Sequence, residues 1–319
     1  MRQLKIAGGI FAIVLAIFFG LGTYLFWPVV LDPIDDINAT LPAPTQPSKV
    51  RLSAMTTGFN VSPQAAIYSG GKFTKSHRSV YSGFVIEHPD ATFMLEGGIG
   101  NKIAEEHARN MNALERRLFA FQKTETAKER MIAARYDPAQ IEFIILTHLH
   151  WDHAAVIPEF PGTPIWTEAK ELDAAQALSD THISYFAEHL NRDDTVWSFI
   201  EFDDKPYGPF DKSKDIFGDG SVVLIPLGGH TKGSIGAVVT TAAGKRYFFI
   251  GDVSWSLEAI KLLRPKTPFV GNMVDADREK TREVVALLHE VWKDNPDMLI
   301  VPTHDGPVVA QLSSFPAFE

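Results

Sequence analysis

The sequence has no cysteine in its 319 residues. That excludes disulfides, thiolate metal sites and a cysteine nucleophile. It fits either redox compartment. No long basic run occurs and the formal net charge is −9, which disfavours DNA or RNA as a partner, because neutralising phosphates needs clustered cations. No internal repeat is evident. Hydrophobic residues make up 45 % of the chain, enough for one large core or two small ones.

Charge is missing altogether from residues 6–31. As a helix, the part before Pro28 would extend about 33 Å, close to the hydrocarbon thickness of a bilayer. Arg2 and Lys5 precede it, and Asp32, Asp35 and Asp36 follow. By positive-inside logic, residues 1–31 are expected to form an N-terminal transmembrane anchor, with the remainder extracytoplasmic (periplasmic in a Gram-negative bacterium). The alternative is a signal peptide cleaved near Gly20 or Gly22, giving a secreted protein. Residues 32–48 carry Pro33, Pro42, Pro44 and Pro47, which reads as an extended linker. A globular domain is expected over 49–319.

Within that domain, 50–61 reads as a strand region. Residues 79–86 and 91–95 flank His88-Pro89-Asp90 and read as a hairpin. Residues 102–134 are rich in Ala, Glu, Lys and Arg and read as mostly helical. Strands are expected at 141–146, 165–166, 222–225, 235–240, 247–250 and 298–301. Helices are expected at 168–178 and 277–293, the second with Val284, Val285, Leu288 and Val291 along one stripe. Residues 180–217 are charged and aromatic at once, and read as a core of a helical insert, as an apolar wall for a substrate chain, or as a membrane-facing patch beside the anchor.

Four of these strands end in a turn that carries His or Asp. The densest is Thr147-His148-Leu149-His150-Trp151-Asp152-His153. The others place His230 after Gly228-Gly229, Asp252 after Gly251, and His304 after Pro302-Thr303. Imidazole and carboxylate donors suit zinc and similar first-row metals. Seven candidate ligands, His148, His150, Asp152, His153, His230, Asp252 and His304, exceed the needs of one tetrahedral ion and suit two divalent cations sharing a bridge. His148 and His150, two apart on extended backbone, point the same way and can chelate one ion. Asp152 and His153 can reach a second, and Asp252 is the candidate bridge. The other histidines, His77, His88, His107, His182, His189 and His289, read as structural, with His182 and His189 the two that the insert could bring to substrate.

These motifs, in this order, resemble the metallo-β-lactamase superfamily of hydrolases over about residues 50–319. The resemblance implies a four-layer αββα sandwich with a dinuclear site at one sheet edge. It assigns His148, His150 and His230 to one metal, Asp152, His153 and His304 to the other, and Asp252 to both. It implies a hydrolase in which a metal-bridging hydroxide attacks the substrate and Asp152 orients that nucleophile and carries its proton. The redox branch carries Glu where His150 stands, and true β-lactamases lack the carboxylate seen here as Asp252.

Tyr136-Asp137-Pro138, the 145–153 run, 229–234 and 251–254 are similar to the N-acyl-homoserine lactonase branch. Three positions depart from it. Trp255 stands where those enzymes place a tyrosine that donates to the substrate carbonyl, so the indole N–H is expected in that role. Glu96-Gly97-Gly98 replaces Asp-Thr-Gly, and Ala154-Ala155 replaces Ala-Gly. The expected substrate is a small molecule, a lactone or carboxylic ester such as an amphiphilic acyl compound. Two alternatives use the same site: a thioesterase, or a phosphodiesterase with Lys232 or Lys261 binding phosphate. A third is a non-catalytic binding protein that keeps the fold.

Overall fold

The computed structural model describes Gly20, Gly22 and residues 24–319. Two sheets carry the architecture. The strands of the first are β1 (Arg51–Pro63), β2 (Ser76–His88), β3 (Ala91–Gly97), β4 (Gln122–Lys123), β5 (Phe143–Ile145), β6 (Pro164–Thr167) and β7 (Val196–Phe199), in the spatial order β4-β1-β2-β3-β5-β6-β7. The second contains β8 (Lys214–Asp215), β9 (Val222–Pro226), β10 (Ile235–Thr240), β11 (Arg246–Phe249) and β12 (Met298–Val301), in the order β12-β11-β10-β9-β8. The β2–β3 hairpin closes at His88↔Ala91, around the turn that the sequence marks.

Strand alternation builds the layers. Phe84, Ile86, Phe93, Leu95, Phe143 and Ile145 join Leu224, Val238 and Phe248 in one core between the sheets. Their neighbours Val85, Met94 and Ile144 face the other way, into a second core with Met131 and Leu172. Those two residues come from helices Ala127–Ala133 and Ala169–Leu178, which cover the first sheet. A period of two is what a sheet buried on both faces requires. Phe84 and Phe249 meet across the sandwich with ring centroids 4.6 Å apart. The second sheet is covered by helix Arg278–Asp294 through Val284, Val285, Leu288 and Val291. The result is the α/β sandwich expected from the sequence.

The N-terminal region differs from expectation. Among the described residues no helix is long and apolar enough to cross a membrane. This corrects the expected transmembrane helix, and with it the membrane as partner, the signal segment, and the anchored extracytoplasmic or secreted location derived from them. Of the uncharged run, residues 6–19, 21 and 23 lie outside the described residues. Its described end is a short helical piece, in which Phe26 N–H donates to the Gly22 carbonyl at 3.3 Å, and beyond Pro28 its backbone is bound by the domain. The Val29 N–H donates to Ser69 Oγ at 2.7 Å, and Leu31 N–H to the Leu263 carbonyl at 2.8 Å. Residues 32–48 are extended but not free. Ala39 and Leu41 are buried in the inter-sheet core, and Asn295 Oδ1 accepts from the Leu41 N–H. Prolines set the extended course, and apolar residues between them dock it.

The 180–217 segment is mostly not helical. It holds one short helix, Ala187–Leu190, and strands β7 and β8. Tyr207 and Phe210 are buried in the inter-sheet core.

Candidate metal centre

All four histidine- or aspartate-bearing turns lie at the same rim of the sandwich. They follow β5, β9, β11 and β12, and a fifth strand end, that of β3, adds Glu96. Backbone bonds lock the turns together. Ile235 N–H donates to the Thr147 carbonyl at 2.9 Å, Thr303 N–H to Gly251 O at 3.3 Å, and Val80 N–H to His304 O at 3.1 Å. The buried Glu171 carboxylate accepts from Leu149 N–H and Gly233 N–H, each at 2.9 Å. One side chain thereby fixes the 148–153 turn against the loop bearing His230.

The ligand atoms form two clusters. His148, His150 and His230 present ring nitrogens close enough together to hold one ion, and Asp152, His153 and His304 do the same with one carboxylate oxygen and two ring nitrogens. His230 Nε2 lies 3.2 Å from His148 Nε2 and 3.1 Å from His150 Nδ1. Asp252 stands between the clusters. Its Oδ2 is 3.8 Å from His230 Nε2 and 3.2 Å from His304 Nε2, and its Oδ1 is 3.4 Å from His153 Nε2. All seven residues singled out from the sequence are thus brought together.

Outer partners fix which nitrogen of each ring faces inward. His230 Nδ1 donates to Asp275 Oδ1 at 2.9 Å, His153 Nδ1 to Glu96 Oε2 at 2.7 Å, and His304 Nδ1 to the Val80 carbonyl at 2.7 Å. This arrangement sets the tautomer and raises ligand basicity. Glu96 also lies near His148 and His153 in a third acidic–imidazole cluster. Its two oxygens are taken by His153 and by the Thr147 N–H at 3.1 Å, so it acts as a support and not as a ligand. It adopts a left-handed φ of 58°, a conformation that a non-glycine residue keeps only where its surroundings hold it.

Electrostatics match the geometry. Burial, reinforced by the neighbouring imidazoles, drives His148 and His150 well below the ordinary histidine range. They are neutral, with lone pairs available to a cation. Burial and the Lys266 ammonium also lower His230. Burial alone would lower His153 and His304 too. The carboxylates of Glu96 and Asp252 outweigh it at His153, and Asp252 with Asp152 outweighs it at His304, which rises to about 10.

Whether metals fit is decided by atoms left over. His153 Nε2 and Asp252 Oδ1 are buried and lack a hydrogen-bond partner among the described residues. Three unprotonated imidazole nitrogens converging at about 3 Å, as neutral histidines would present here, repel one another unless a cation sits between them. The donor set fits two divalent ions of zinc type, one per cluster, with Asp252 shared.

Sequence reasoning missed Glu171, Asp275 and Lys266, and gave Glu96 no role. Lys266 is buried and donates to Asp275 Oδ1 at 2.8 Å and to the Asp252 carbonyl at 2.5 Å. Trp255 differs from expectation. Its indole N–H donates to Asp252 Oδ2 at 2.7 Å, so it is engaged with the bridging carboxylate and not held free for a substrate. His189 is fully buried and paired with Glu106 at 3.0 Å, and His88 stacks on Phe217. His107 packs on Trp151 with centroids 4.2 Å apart, and His289 donates to the Ile260 carbonyl at 2.9 Å.

A cavity of about 140 Å³ opens beside the clusters, reached by His150, Asp152, Asp252 and His304. Its apolar wall comes from Ile67, Leu118, Phe119, Phe269, Val270 and Met273. Of the 180–217 segment only Ser184 lines it. The expected aromatic wall from that insert is therefore replaced by three other stretches of chain.

An α/β sandwich with a three-histidine cluster, a histidine–aspartate cluster and an aspartate between them on one rim is a dinuclear metal-hydrolase scaffold. The chain belongs to the metallo-beta-lactamase superfamily, whose family model matches residues 78–304. It is 30 % identical over 208 residues to a probable metallo-hydrolase of Mycobacterium tuberculosis, covering 61 % of this chain and 64 % of that protein's length. It is 22 % identical over 238 residues to the N-acyl homoserine lactonase AttM of Agrobacterium fabrum, covering 74 % of this chain and 85 % of that one. Among solved structures it is similar to an N-acyl homoserine lactone hydrolase with N-hexanoyl-L-homoserine bound at its catalytic metal centre. That likeness has a TM-score of 0.65 at 19 % identity and covers 86 % of this chain and 100 % of that chain, which speaks to the fold.

Proposed function

We propose that this protein hydrolyses a lactone or related carboxylic ester bearing an apolar acyl group, an N-acyl homoserine lactone being the substrate type to try first. The observation that carries this reading is the cavity. It is apolar on one side, faces the candidate metal-ligating carboxylates on the other, and among the described residues has no lysine or arginine in its lining. A phosphodiester would call for fixed cations there. An acyl chain with a carbonyl head suits an apolar wall that ends in a few convergent polar groups. The lactonases among the similar proteins support the same reading.

In this reading His148, His150 and His230 would hold one ion, Asp152, His153 and His304 would hold the other, and Asp252 would be shared between them. Divalent ions there would supply Lewis acidity and a hydroxide nucleophile at neutral pH. The chain's own residues do the rest. Asp152 lies 3.2 Å from His304 Nε2 and borders the cavity, where its free oxygen can take the nucleophile's proton and return it to the departing alkoxide. Glu96, Asp275 and the Val80 carbonyl keep three ligand rings from turning. Trp255 orients Asp252 through its N–H.

Two measurements test this. Purified protein should hold two metal equivalents, and fewer than about one and a half in well-loaded protein would rule out a dinuclear centre. A panel of acyl-homoserine lactones, aryl esters, thioesters and bis-p-nitrophenyl phosphate should give fastest turnover on lactone or ester. A clear preference for the phosphodiester or thioester would replace the reading with that chemistry.

A further inference from the structure

Ester hydrolysis needs a hydrogen-bond donor near the acyl oxygen, where negative charge grows in the transition state. Trp255 is committed to Asp252. The remaining polar side chains on the cavity wall, ligands and the indole of Trp151 aside, are Asn60, Ser62, Ser79, Tyr81 and Ser184. Four of these five come from the same faces of paired strands. Asn60 and Ser62 alternate on β1, and Ser79 and Tyr81 alternate on β2, with Asn60 opposite Ser79 in the register. Val80, between Ser79 and Tyr81, turns into the inter-sheet core. The period-two geometry therefore directs this polar strip at the cavity.

Tyr81 is the member of the strip tied to the metal centre. Its ring meets His304 edge-on, with centroids 5.3 Å apart, and lies 5.8 Å from Trp151. Its hydroxyl accepts from Asn60 Nδ2 at 3.4 Å. A phenol that accepts there keeps its own proton to give. Asn60 Oδ1 has no hydrogen-bond partner among the described residues although it is buried, which leaves a polar pair incompletely satisfied on a wall that is otherwise largely apolar. A buried polar atom of that kind is satisfied in a native site by ordered water or by a ligand.

We propose that Tyr81 donates the hydrogen bond to the substrate's acyl oxygen, and that Asn60 is the positioning residue that aims its hydroxyl. The assignment rests on the ester reading above. It moves the carbonyl donor from the turn after Asp252, where Trp255 stands, to the face of β2 across the cavity.

The test uses Tyr81→Phe, which keeps the ring against His304 and removes only the hydroxyl. The variant should retain two metal equivalents and lose about 100-fold in kcat on an acyl-homoserine lactone or aryl ester, with KM nearly unchanged. It should also bind the ring-opened product N-hexanoyl-L-homoserine about tenfold more weakly. Asn60→Ala should slow the wild-type enzyme about tenfold and have no effect in the Tyr81→Phe background, because a positioning residue acts only through the group it positions. Rates and product affinity equal in wild type and Tyr81→Phe, with metal content matched, would overturn the assignment. So would Asn60→Ala costs that simply add. Failure of the ester reading gives a different result: wild-type protein that hydrolyses only the phosphodiester and does not bind the product.

Discussion

Lys266 and Asp275 form a buried ion pair, Nζ to Oδ1 at 2.8 Å, directly behind His230. The same Asp275 oxygen accepts the His230 Nδ1 proton at 2.9 Å. Lys266 Nζ lies 3.5 Å from that nitrogen, but both atoms carry protons, so the contact is between neighbours and not a hydrogen bond. Lys266 also donates to the carbonyls of Asp252 and Val253. One ammonium therefore holds the backbone of Asp252, the proposed bridge, and the carboxylate that orients His230, a candidate ligand of the first cluster. Lys266→Met should weaken metal binding about 10- to 100-fold, as loss of an outer partner does. It should also lower stability by about 3 kcal/mol, because Asp275 stays buried without its cation. Chelator competition followed by apo-protein denaturation separates the two effects. Unchanged metal affinity would mean that the pair supports the fold alone.

Trp255 is half-buried and donates its N–H to Asp252 Oδ2. Trp255→Phe keeps an aromatic ring in place and frees that oxygen. Expected is a roughly tenfold loss of kcat/KM with little change in KM, reflecting a less well-oriented carboxylate. Equal rates for Trp and Phe would show that the hydrogen bond contributes nothing to turnover. A rise in KM alone would put the indole in contact with substrate.

Gly251 links the strand β11 to Asp252 in a left-handed conformation, φ 52°. A Cβ there would lie 2.7 Å from Thr147 Oγ1, the residue just before His148. Gly251→Ala therefore meets both a backbone penalty and a clash, and relief must move one ligand-bearing turn or the other. A loss of about 2 kcal/mol in stability is expected, with reduced metal content. Denaturant titration and metal analysis on the same sample check both. Normal metal stoichiometry with lowered stability would show that the turns absorb the strain without moving the ligands.

The ligands were legible because each follows a strand that hydropathy reveals, and strand ends on one rim converge whatever the loops do. His148, His150 and His153 share one turn, while His230, Asp252 and His304 could be joined to them by the order of their motifs. Their supports were not legible. Glu171 reaches Leu149 and Gly233, and Asp275 reaches His230 across 45 positions of sequence. A lone buried carboxylate on a helix or loop carries no local pattern that distinguishes it from a solvated one. The cavity wall was hidden for a similar reason. The aromatic-rich 180–217 segment drew attention by composition, but Tyr207 and Phe210 fill the inter-sheet core. Phe119 and Phe269, from separate stretches, line the cavity. Uncharged composition was equally indirect at the N-terminus, where residues 29 and 31 bond to the domain.

His107 offers a pH test at a buried histidine outside the two ligand clusters. It is buried against Trp151, Phe121 and Phe186, and its Nε2 has no hydrogen-bond partner among the described residues. Burial pushes its imidazole down to about 4, against the opposing pull of Asp152 and Glu106. The unfolded chain protonates this histidine near pH 6.5, before the folded protein does. Its contribution is therefore fully present above pH 6.5, declines as pH falls toward 4, and levels off below that, a total on the order of 3 kcal/mol. His107→Phe removes the titrating group and keeps an aromatic ring. Between pH 7 and pH 5, wild-type protein should lose about 2 kcal/mol more stability than the variant, a difference that cancels acid effects common to both. Parallel denaturation curves at the two pH values would show that His107 does not contribute to acid sensitivity.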